Sequence, residues 1–224
     1  MILVFDLDDT LYDEIQYVES GFRAVANFVA SQWQHDSIEV YDRLINALSS
    51  KGRGHVFDSV LSSYGRLSIR NVKRCVGVYR RHIPSIALHQ AGERCLKRFC
   101  ARPKYLVTDG NRLVQHNKVV ALNIEPQFKR VMITHRFGLA KAKPSPYCFQ
   151  VITSLEKAAP QQIVYIGDNP AKDFVGIKPL GFRTVRVLTG AHKSVRKPSR
   201  YEADISINTL NELTPALLEK LQGY

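Results

Sequence analysis

Cysteine is scarce in this sequence, and its scarcity excludes a disulfide-based scaffold. The chain has 224 residues and four cysteines, no two of which form a C-x-x-C pair. Small secreted domains that rely on disulfides carry cysteine at much higher density. We therefore expect reduced thiols, most of them packed between helices, in a cytoplasmic protein. The four are Cys75, Cys95, Cys100 and Cys148.

Long apolar segments are absent as well. No stretch has the length of a membrane span, and the apolar run at the start is too short for a signal peptide because aspartates follow it at once. We therefore expect no membrane association. Hydrophobic residues make up 45% of the chain and charged residues 23%, as in an ordinary globular protein. A chain of this length can hold one domain and a substantial insertion.

Acidic residues are missing from two stretches, residues 60–92 and 174–201, which contain many lysines and arginines. The net charge of +12 is uneven: residues 1–60 carry ten acidic and four basic side chains, whereas residues 61–224 carry ten acidic and 28 basic ones. A positive field of this kind favours anionic partners. It leaves open whether these partners are phosphorylated metabolites or nucleic acid.

Short apolar runs alternate with helical patterns along most of the chain. The first run ends at Phe5, and the pattern predicts five more strands after residue 90. Strands separated by helices predict βαβ units around a parallel sheet that is buried on both faces. The fold class is therefore α/β, with a Rossmann-like parallel sheet. The later strands are predicted at residues 105–107, 131–133, 163–166, 184–187 and 204–207.

One block interrupts this alternation directly after the first strand. Between residues 14 and 84, apolar residues recur at spacings of three and four, which is typical of helices, and no convincing strand pattern occurs. We therefore predict an α/β core formed by residues 1–13 and 85–224, with an all-helical domain inserted at residues 14–84.

The first strand ends in an acidic segment, Asp6-Leu7-Asp8-Asp9-Thr10. Three carboxylates within four positions are not expected in a core. Ligands of open α/β sheets bind outside the carboxyl ends of the strands, so we expect Asp6 and Asp8 at the rim where chemistry takes place. Neighbouring carboxylates repel each other unless a cation neutralises them, which favours a metal site. A solvent-exposed acidic turn is the alternative explanation.

Polar groups also follow three later strands. Thr108 can cap the next helix or grip a phosphate. Lys143 precedes a proline that is expected to begin a helix, so its ammonium group can lie at the rim or remain in solvent. Asp168 follows Gly167 at another strand end, and Asp173 falls at the start of a short helix predicted around residues 171–180, from which it can face the same point. An Asx turn with a helix cap is the alternative for this last pair.

Taken in this order, these groups resemble the motifs of the haloacid dehalogenase-like hydrolase superfamily. Two carboxylates, a hydroxyl, a lysine and two further carboxylates form a set that is specific for the superfamily but not for a substrate. The helical insertion is similar to the cap of one subgroup, so the resemblance covers nearly the whole chain. The four motifs would be residues 6–10, Thr108, Lys143-Pro144 and residues 167–173.

The resemblance implies the mechanism of a phosphatase. Asp6 would attack phosphorus and form an aspartyl-phosphate. Asp8 would protonate the leaving oxygen and then deprotonate the attacking water. An acid at position 8 argues against the dehalogenase branch, which needs none two residues after its nucleophile.

Mg²⁺ is the cofactor that the resemblance implies. The ion would be held by the Asp6 carboxylate, the Asp8 backbone carbonyl and Asp168. Asp173 would lie in the second shell or be joined to the ion through water. Oxygen ligands with retained waters suit this ion, and its charge lets an anionic nucleophile approach an anionic phosphate.

The resemblance also implies a phosphate site. Thr108 and Lys143 would hold the phosphoryl oxygens, and Lys143 would offset their developing charge. The family often has Asn after the threonine, whereas this sequence has Asp109, which leaves its backbone N–H as the group to bind phosphate. Lys141 is an alternative to Lys143, which we prefer because Pro144 follows it.

The leading hypothesis is a Mg²⁺-dependent phosphomonoester hydrolase acting on a small phosphorylated metabolite. A helical lid that excludes water needs a small substrate: a sugar phosphate, a small organic acid phosphate or a nucleoside monophosphate. A sugar-phosphate mutase with the same residues is the first alternative, because water exclusion decides between the two. A basic nucleic-acid-binding protein is the alternative from another class. The basic stretches lack a known binding module, so a nucleic-acid partner is not expected.

Overall fold

The structure is a computed structural model that describes residues 1–222, and the chain divides into two compact units. The sheet unit combines Met1–Glu14 with the chain from Ala87 onward, and the helical unit is Ile15–Ile86. Residues 223–224, which end the predicted core, lie outside the described part of the chain. The role of the helical unit as a cap stays a prediction.

The sheet unit is built on one sheet of six parallel strands. They are β1 (Ile2–Phe5), β2 (Lys104–Thr108), β3 (Arg130–Ile133), β4 (Ile163–Gly167), β5 (Arg183–Val187) and β6 (Ile205–Ile207). Their order across the sheet is β3-β2-β1-β4-β5-β6, so β1 lies between β2 and β4. The predicted α/β fold with a parallel sheet is therefore confirmed.

The three central strands are buried along their whole length. In β1 the side chains of Leu3, Val4 and Phe5 are completely inaccessible to solvent, and every residue of β2 and β4 is buried too. Side chains of a strand point alternately to its two faces. A continuous apolar run therefore matches a strand that is covered on both sides, as the sequence pattern predicted.

The helical unit contains four helices and, among its described residues, no strand. They are α1 (Glu14–Trp33, whose first residue belongs to the sheet unit), α2 (Ser37–Lys51), α3 (Val56–Ser63) and α4 (Ile69–Arg81). Their inner faces form an apolar core of their own, with Val25, Leu44 and Leu61 nearly inaccessible to solvent. The apolar spacing of three and four thus reflects the burial of one face of each helix.

Four more helices belong to the sheet unit: α5 (Gln90–Arg98), α6 (Arg112–Ala121), α7 (Tyr147–Glu156) and α8 (Pro215–Gln222). The prediction that a helix begins at Pro144 is wrong, because α7 begins three residues later and Ser145 closes a turn onto the carbonyl of Ala142. The helix predicted around residues 171–180 is also wrong. That segment consists of turns that end in a short 3₁₀ turn at Lys178–Leu180.

Two expectations from composition can be compared with the structure. All four cysteines are free, and three of them are buried. No helix within residues 1–222 combines the length and the hydrophobicity needed to cross a membrane.

Candidate active site

The predicted site residues meet at the carboxyl edge of the sheet. Asp6 follows β1, Thr108 ends β2 and Asp168 follows β4. These strands are neighbours and run parallel, with Phe5 aligned to Leu106 on one side and to Ile166 on the other. Their carboxyl ends therefore bring a carboxylate, a hydroxyl and a second carboxylate to one place.

A group of three buried carboxylates forms the centre of the site. Oxygen atoms of Asp6, Asp168 and Asp173 lie within 4.8 Å of one another. Burial, with the charges of Asp173 and Asp6 adding to it, raises the pKa of Asp168 to about 9. Burial also raises the pKa of Asp6 to about 7, although Lys143 acts against it. Carboxylates that are difficult to ionise together favour a bound cation.

The donors of this group fit a hard divalent ion such as Mg²⁺. Both oxygens of Asp173 are already engaged, Oδ1 by Lys143 and Tyr165 and Oδ2 by the backbone N–H of Asn169. Asp6 and Asp168 are therefore the carboxylates best placed to hold the ion, and Asp173 supports them. This division agrees with the ligand set that the resemblance implies.

Lys143 binds the nucleophile candidate directly. Its Nζ lies 2.9 Å from Asp6 Oδ1, 2.8 Å from Asp173 Oδ1 and 2.8 Å from the Tyr165 hydroxyl. Burial acts to lower the pKa of Lys143, but Asp173 and Asp6 together hold it well above its ordinary value. The ammonium group is thus kept charged between two carboxylates.

The alternative lysine, Lys141, has a different environment. It is exposed, and its Nζ lies 4.8 Å from the centre of the Tyr147 ring, a cation–π contact. The structure therefore places Lys143, rather than Lys141, beside Asp6. The reason for preferring Lys143 was incorrect, however, since Pro144 does not begin a helix.

The carboxylate of Asp109 is engaged by neighbouring side chains and backbone, and it supports the segments around the site. Its Oδ1 accepts hydrogen bonds from the Thr134 hydroxyl at 2.6 Å and the Lys143 backbone N–H at 3.0 Å. Its Oδ2 lies 3.2 Å from Lys172 Nζ. Burial acts to raise the pKa of Asp109, but these partners lower it below its usual value. The carboxylate holds the segment that carries Lys143, and the backbone N–H of Asp109 remains available as the predicted phosphate contact.

The carboxylate of Asp8 is held by three side chains whose role was not predicted from the sequence. Its Oδ1 accepts hydrogen bonds from Lys118 Nζ and the Tyr12 hydroxyl, both at 2.6 Å, and its Oδ2 accepts one from Gln115 Nε2 at 2.9 Å. Burial acts to raise the pKa of Asp8, but the Lys118 charge and the three hydrogen bonds lower it. The same Gln115 nitrogen also donates to the Thr108 hydroxyl.

The missed residues had a weak signal in the sequence. Gln115 and Lys118 are three residues apart on α6, so they share a face of that helix. Both are only 2% exposed. In the sequence, the only signal is a glutamine and a lysine at helical spacing shortly after a strand end with a predicted function.

Asp9, the third carboxylate of the acidic segment, has a structural explanation. Its φ is +52°, a left-handed conformation that aspartate tolerates better than most residues. Its two oxygens accept hydrogen bonds from the backbone N–H groups of Glu14 at 2.9 Å and Ala191 at 3.2 Å. Asp9 therefore holds the chain as it leaves β1, and its oxygens are not part of the three-carboxylate group of the described residues.

A parallel α/β sheet that carries buried carboxylates and a charged lysine at its carboxyl edge defines an enzyme whose site suits a metal ion and an anionic substrate. The family model "haloacid dehalogenase-like hydrolase" matches residues 1–181. The chain belongs to this family. The predicted family is therefore confirmed.

Curated relatives extend the match over the whole chain. A glyceraldehyde 3-phosphate phosphatase from Methanocaldococcus jannaschii is 30% identical over 220 residues, which cover 94% of each chain. A protein of the same name from Pyrococcus furiosus is 26% identical and covers 99% of this chain and 92% of its own. Together with the family match, they confirm the prediction of an enzyme in the phosphoric monoester hydrolase class.

Among solved structures, a 2-haloacid dehalogenase from Pseudomonas syringae superposes with a TM-score of 0.67. It is 20% identical and covers 98% of this chain and 99% of its own. At this identity the likeness concerns the fold alone.

Proposed function

We propose that this protein is a Mg²⁺-dependent phosphomonoester hydrolase that acts on a small phosphorylated metabolite through an aspartyl-phosphate. The contact between Lys143 Nζ and Asp6 carries the proposal. It puts a cation beside a buried carboxylate at the edge where ligands of such sheets bind. A phosphoryl group attacked by Asp6 would have this ammonium at its oxygens.

In the first step, a carboxylate oxygen of Asp6 forms a bond to phosphorus while the ester P–O bond breaks. Asp8 gives a proton to the departing alkoxide oxygen, so the alcohol leaves neutral. In the second step, Asp8 takes a proton from water, and that water oxygen attacks phosphorus. The bond between phosphorus and Asp6 breaks, and inorganic phosphate leaves.

The remaining residues bind and orient the phosphoryl group. Thr108 and Lys143 hold its oxygens, and Lys143 stabilises the negative charge that develops on them. Mg²⁺ held by Asp6, Asp168 and the Asp8 backbone carbonyl would reduce the repulsion between the nucleophile and the phosphate. Asp173 keeps Lys143 in place through its bond at 2.8 Å.

The names of the relatives direct the choice of substrate. The two curated relatives described above are named glyceraldehyde 3-phosphate phosphatases, which makes a triose phosphate the first substrate to assay. We propose that residues 15–86 serve as the cap that selects the substrate. A sugar phosphate, a small organic acid phosphate or a nucleoside monophosphate belongs to the same proposal, as does a cytoplasmic location. A nucleic-acid partner does not.

A panel of phosphate esters, assayed with and without Mg²⁺, tests the proposal. The wild type should release phosphate from at least one small ester, and Asp6→Asn should release none because an amide is not a nucleophile here. Asp13→Asn is the matched control, since Asp13 belongs to the same segment but is exposed; its rate should stay within about twofold of wild type. Near-normal turnover by Asp6→Asn would contradict the proposal.

A further inference from the structure

We infer that Gln115 and Lys118, named here the α6 pair, are positioning residues that hold Asp8 in place for proton transfer. The inference rests on the role of Asp8 in the proposed function. Neither member of the pair needs to touch the substrate, because both act through the carboxylate that they bind.

The contacts of the α6 pair fix both oxygens of Asp8. Lys118 Nζ binds Oδ1 at 2.6 Å and Gln115 Nε2 binds Oδ2 at 2.9 Å, while Tyr12 adds a second donor to Oδ1. A carboxylate held at both oxygens cannot turn about its terminal bond without breaking a hydrogen bond. These bonds therefore set the direction from which Asp8 meets a leaving oxygen.

A buried lysine is energetically unfavourable at a position that serves only in packing. The side chain of Lys118 is 3% exposed, and a buried lysine is rare unless it is paired. Lys118 meets Asp8 at hydrogen-bond distance, and Glu14 lies further away at 3.9 Å. Joint replacement of both members of a buried ion pair by apolar side chains is often tolerated, whereas removal of one member leaves the other charge uncompensated. The placement of Lys118 on Asp8 indicates a role in the chemistry.

Gln115 connects Asp8 to the predicted phosphate site. One nitrogen, Nε2, donates to Asp8 and to the hydroxyl of Thr108. The start of α6 is itself fixed, because the Asn111 side chain accepts hydrogen bonds from the N–H groups of Leu113 and Val114. Gln115 on α6 thus fixes the position of Asp8, the proposed acid, relative to Thr108, which is proposed to bind the phosphoryl group.

Loss of position should slow the first step only with esters whose leaving group needs the acid, whereas the second step needs Asp8 as the base with every ester. General acid–base assistance contributes about 10²- to 10⁴-fold, and it matters most when the leaving group is a poor one. Lys118→Met should therefore lower kcat for an alkyl phosphate about 10- to 100-fold. With p-nitrophenyl phosphate, whose leaving group departs without a proton, the rate of the first step, measured as the burst of p-nitrophenolate, should fall less than about threefold. The KM of the alkyl ester should stay within about twofold.

Lys104→Met is the matched control. Lys104 is a second buried lysine, 4% exposed, whose Nζ binds the Phe99 carbonyl at 3.0 Å. It begins β2, whereas Thr108 ends that strand, so it lies at the opposite edge of the sheet. Its replacement should leave the ratio of the two rates unchanged. Lys118→Arg, which keeps a cation, should recover part of the lost rate with the alkyl ester.

The outcomes separate this inference from the proposed function. Equal losses in the rate of the first step with both esters in Lys118→Met would mean a structural role and would overturn the inference. If that variant does not fold, Gln115→Leu, which removes a donor without removing a charge, must show the selective loss, and its absence overturns the inference too. A wild type that releases no phosphate from any ester contradicts the proposed function itself, and the role of the α6 pair falls with it.

Discussion

Asp6 and Asp8 are two residues apart, yet their surroundings move their pKa values in opposite directions. Burial raises the pKa of Asp6 to about 7. Burial acts on Asp8 as well, but Lys118 and three hydrogen bonds outweigh it and lower the pKa. These directions are the reverse of what an ionised nucleophile and a protonated acid need, and a cation bound beside Asp6 would lower the pKa of Asp6. The divergence comes from residues distant in sequence, so the acidic segment alone does not reveal it.

At Asp109 we predict a stability effect that depends on pH. Burial acts to raise its pKa, but the Thr134 hydrogen bond and the Lys172 charge lower it. A carboxyl with a lowered folded pKa stabilises the protein above its unfolded pKa of about 3.9, and the contribution is lost as pH falls through the folded value. Urea unfolding should find Asp109→Asn less stable than wild type by about 1 to 2 kcal/mol at pH 7, with the gap closing below about pH 4.

Asp13→Asn provides the comparison for this experiment. Asp13 is exposed, so its replacement should change the free energy of unfolding little at either pH. A gap between wild type and Asp109→Asn that stays constant as pH falls from 7 to well below the unfolded pKa of about 3.9 would contradict the prediction, since it would mean that the charge of Asp109 is not what stabilises the fold.

The two lysines of the third motif should differ sharply in their effect on turnover. Lys143→Ala removes the ammonium from Asp6, and loss of a group that stabilises developing charge costs about 10²- to 10³-fold in kcat. Lys141→Ala removes an exposed cation–π contact with Tyr147 and should leave kcat within about twofold of wild type. Steady-state kinetics on the best ester checks both. A larger loss in Lys141→Ala would mean that the third motif is aligned wrongly.

At the scale of elements, the strands could be predicted from the sequence and the loops that follow them could not. Each of the three central strands contains a continuous apolar run, so local composition was enough there. The segment after Asp168 contains apolar residues at helical spacing but forms turns. The side chain of Asn169 accepts from the N–H of Ala171, and Gly176 lies against Pro144, which is over thirty residues away. The Asn169 turn is local, but the contact between Gly176 and Pro144 leaves no trace in a local pattern.

The polar face of α6 could not be predicted either, because it too depends on contacts between distant parts of the chain. Apolar periodicity identifies the side of a helix that faces a core, and it treats polar residues as solvent-facing. Gln115 and Lys118 are buried instead, because the carboxylate of Asp8 and the hydroxyl of Thr108 satisfy them. A helix that packs beside a polar site needs such residues on its inner face, and their partners become known only with the fold.

Gly176 should prove essential to the loop that carries the fourth motif. A Cβ at this position would fall inside van der Waals contact with the carbonyl oxygen of Pro144, which follows Lys143 directly. Gly176→Ala must therefore displace one of the two segments and should lower both stability and kcat. Gly54→Ala is the matched control, since a Cβ there meets nothing within 4 Å. Thermal unfolding measures Tm and steady-state kinetics measures kcat. Equal values of both for Gly176→Ala and Gly54→Ala would contradict the prediction that Gly176 is essential.

For the whole molecule, part of the basic excess is internal rather than on the surface. Lys104, Lys118, Lys143 and Arg186 are all buried. Each binds carboxylates or backbone carbonyls, and two of them face the predicted site. The remaining positive charge gives the protein a field that attracts anions, which raises the rate of encounter with a phosphorylated substrate and weakens with salt. A net charge of +12 thus needs no polynucleotide partner to explain it.

Metal binding should appear as a change in the stability of the folded chain. A ligand that binds only the folded state at 100 times its Kd stabilises it by about 2.7 kcal/mol, which for a protein of this size raises Tm by roughly 5 to 10 °C. Saturating Mg²⁺ should produce such a shift in the wild type, measured by calorimetry against potassium at equal ionic strength. Asp168→Ala should not show it, because Asp168 is one of the two carboxylates best placed to hold the ion.

The direction in which Asp168→Ala changes Tm in the absence of metal distinguishes the loss of a metal ligand from a general destabilisation of the fold. Burial and neighbouring charges raise the pKa of Asp168 to about 9, so its carboxylate is unfavourable in the metal-free protein at neutral pH. Asp168→Ala should therefore melt no lower than the wild type when a chelator removes divalent ions, and lower than the wild type only when Mg²⁺ is present. An equal Mg²⁺ shift in both proteins would place the ion elsewhere. A variant that melts lower even with chelator would show that Asp168 supports the fold itself.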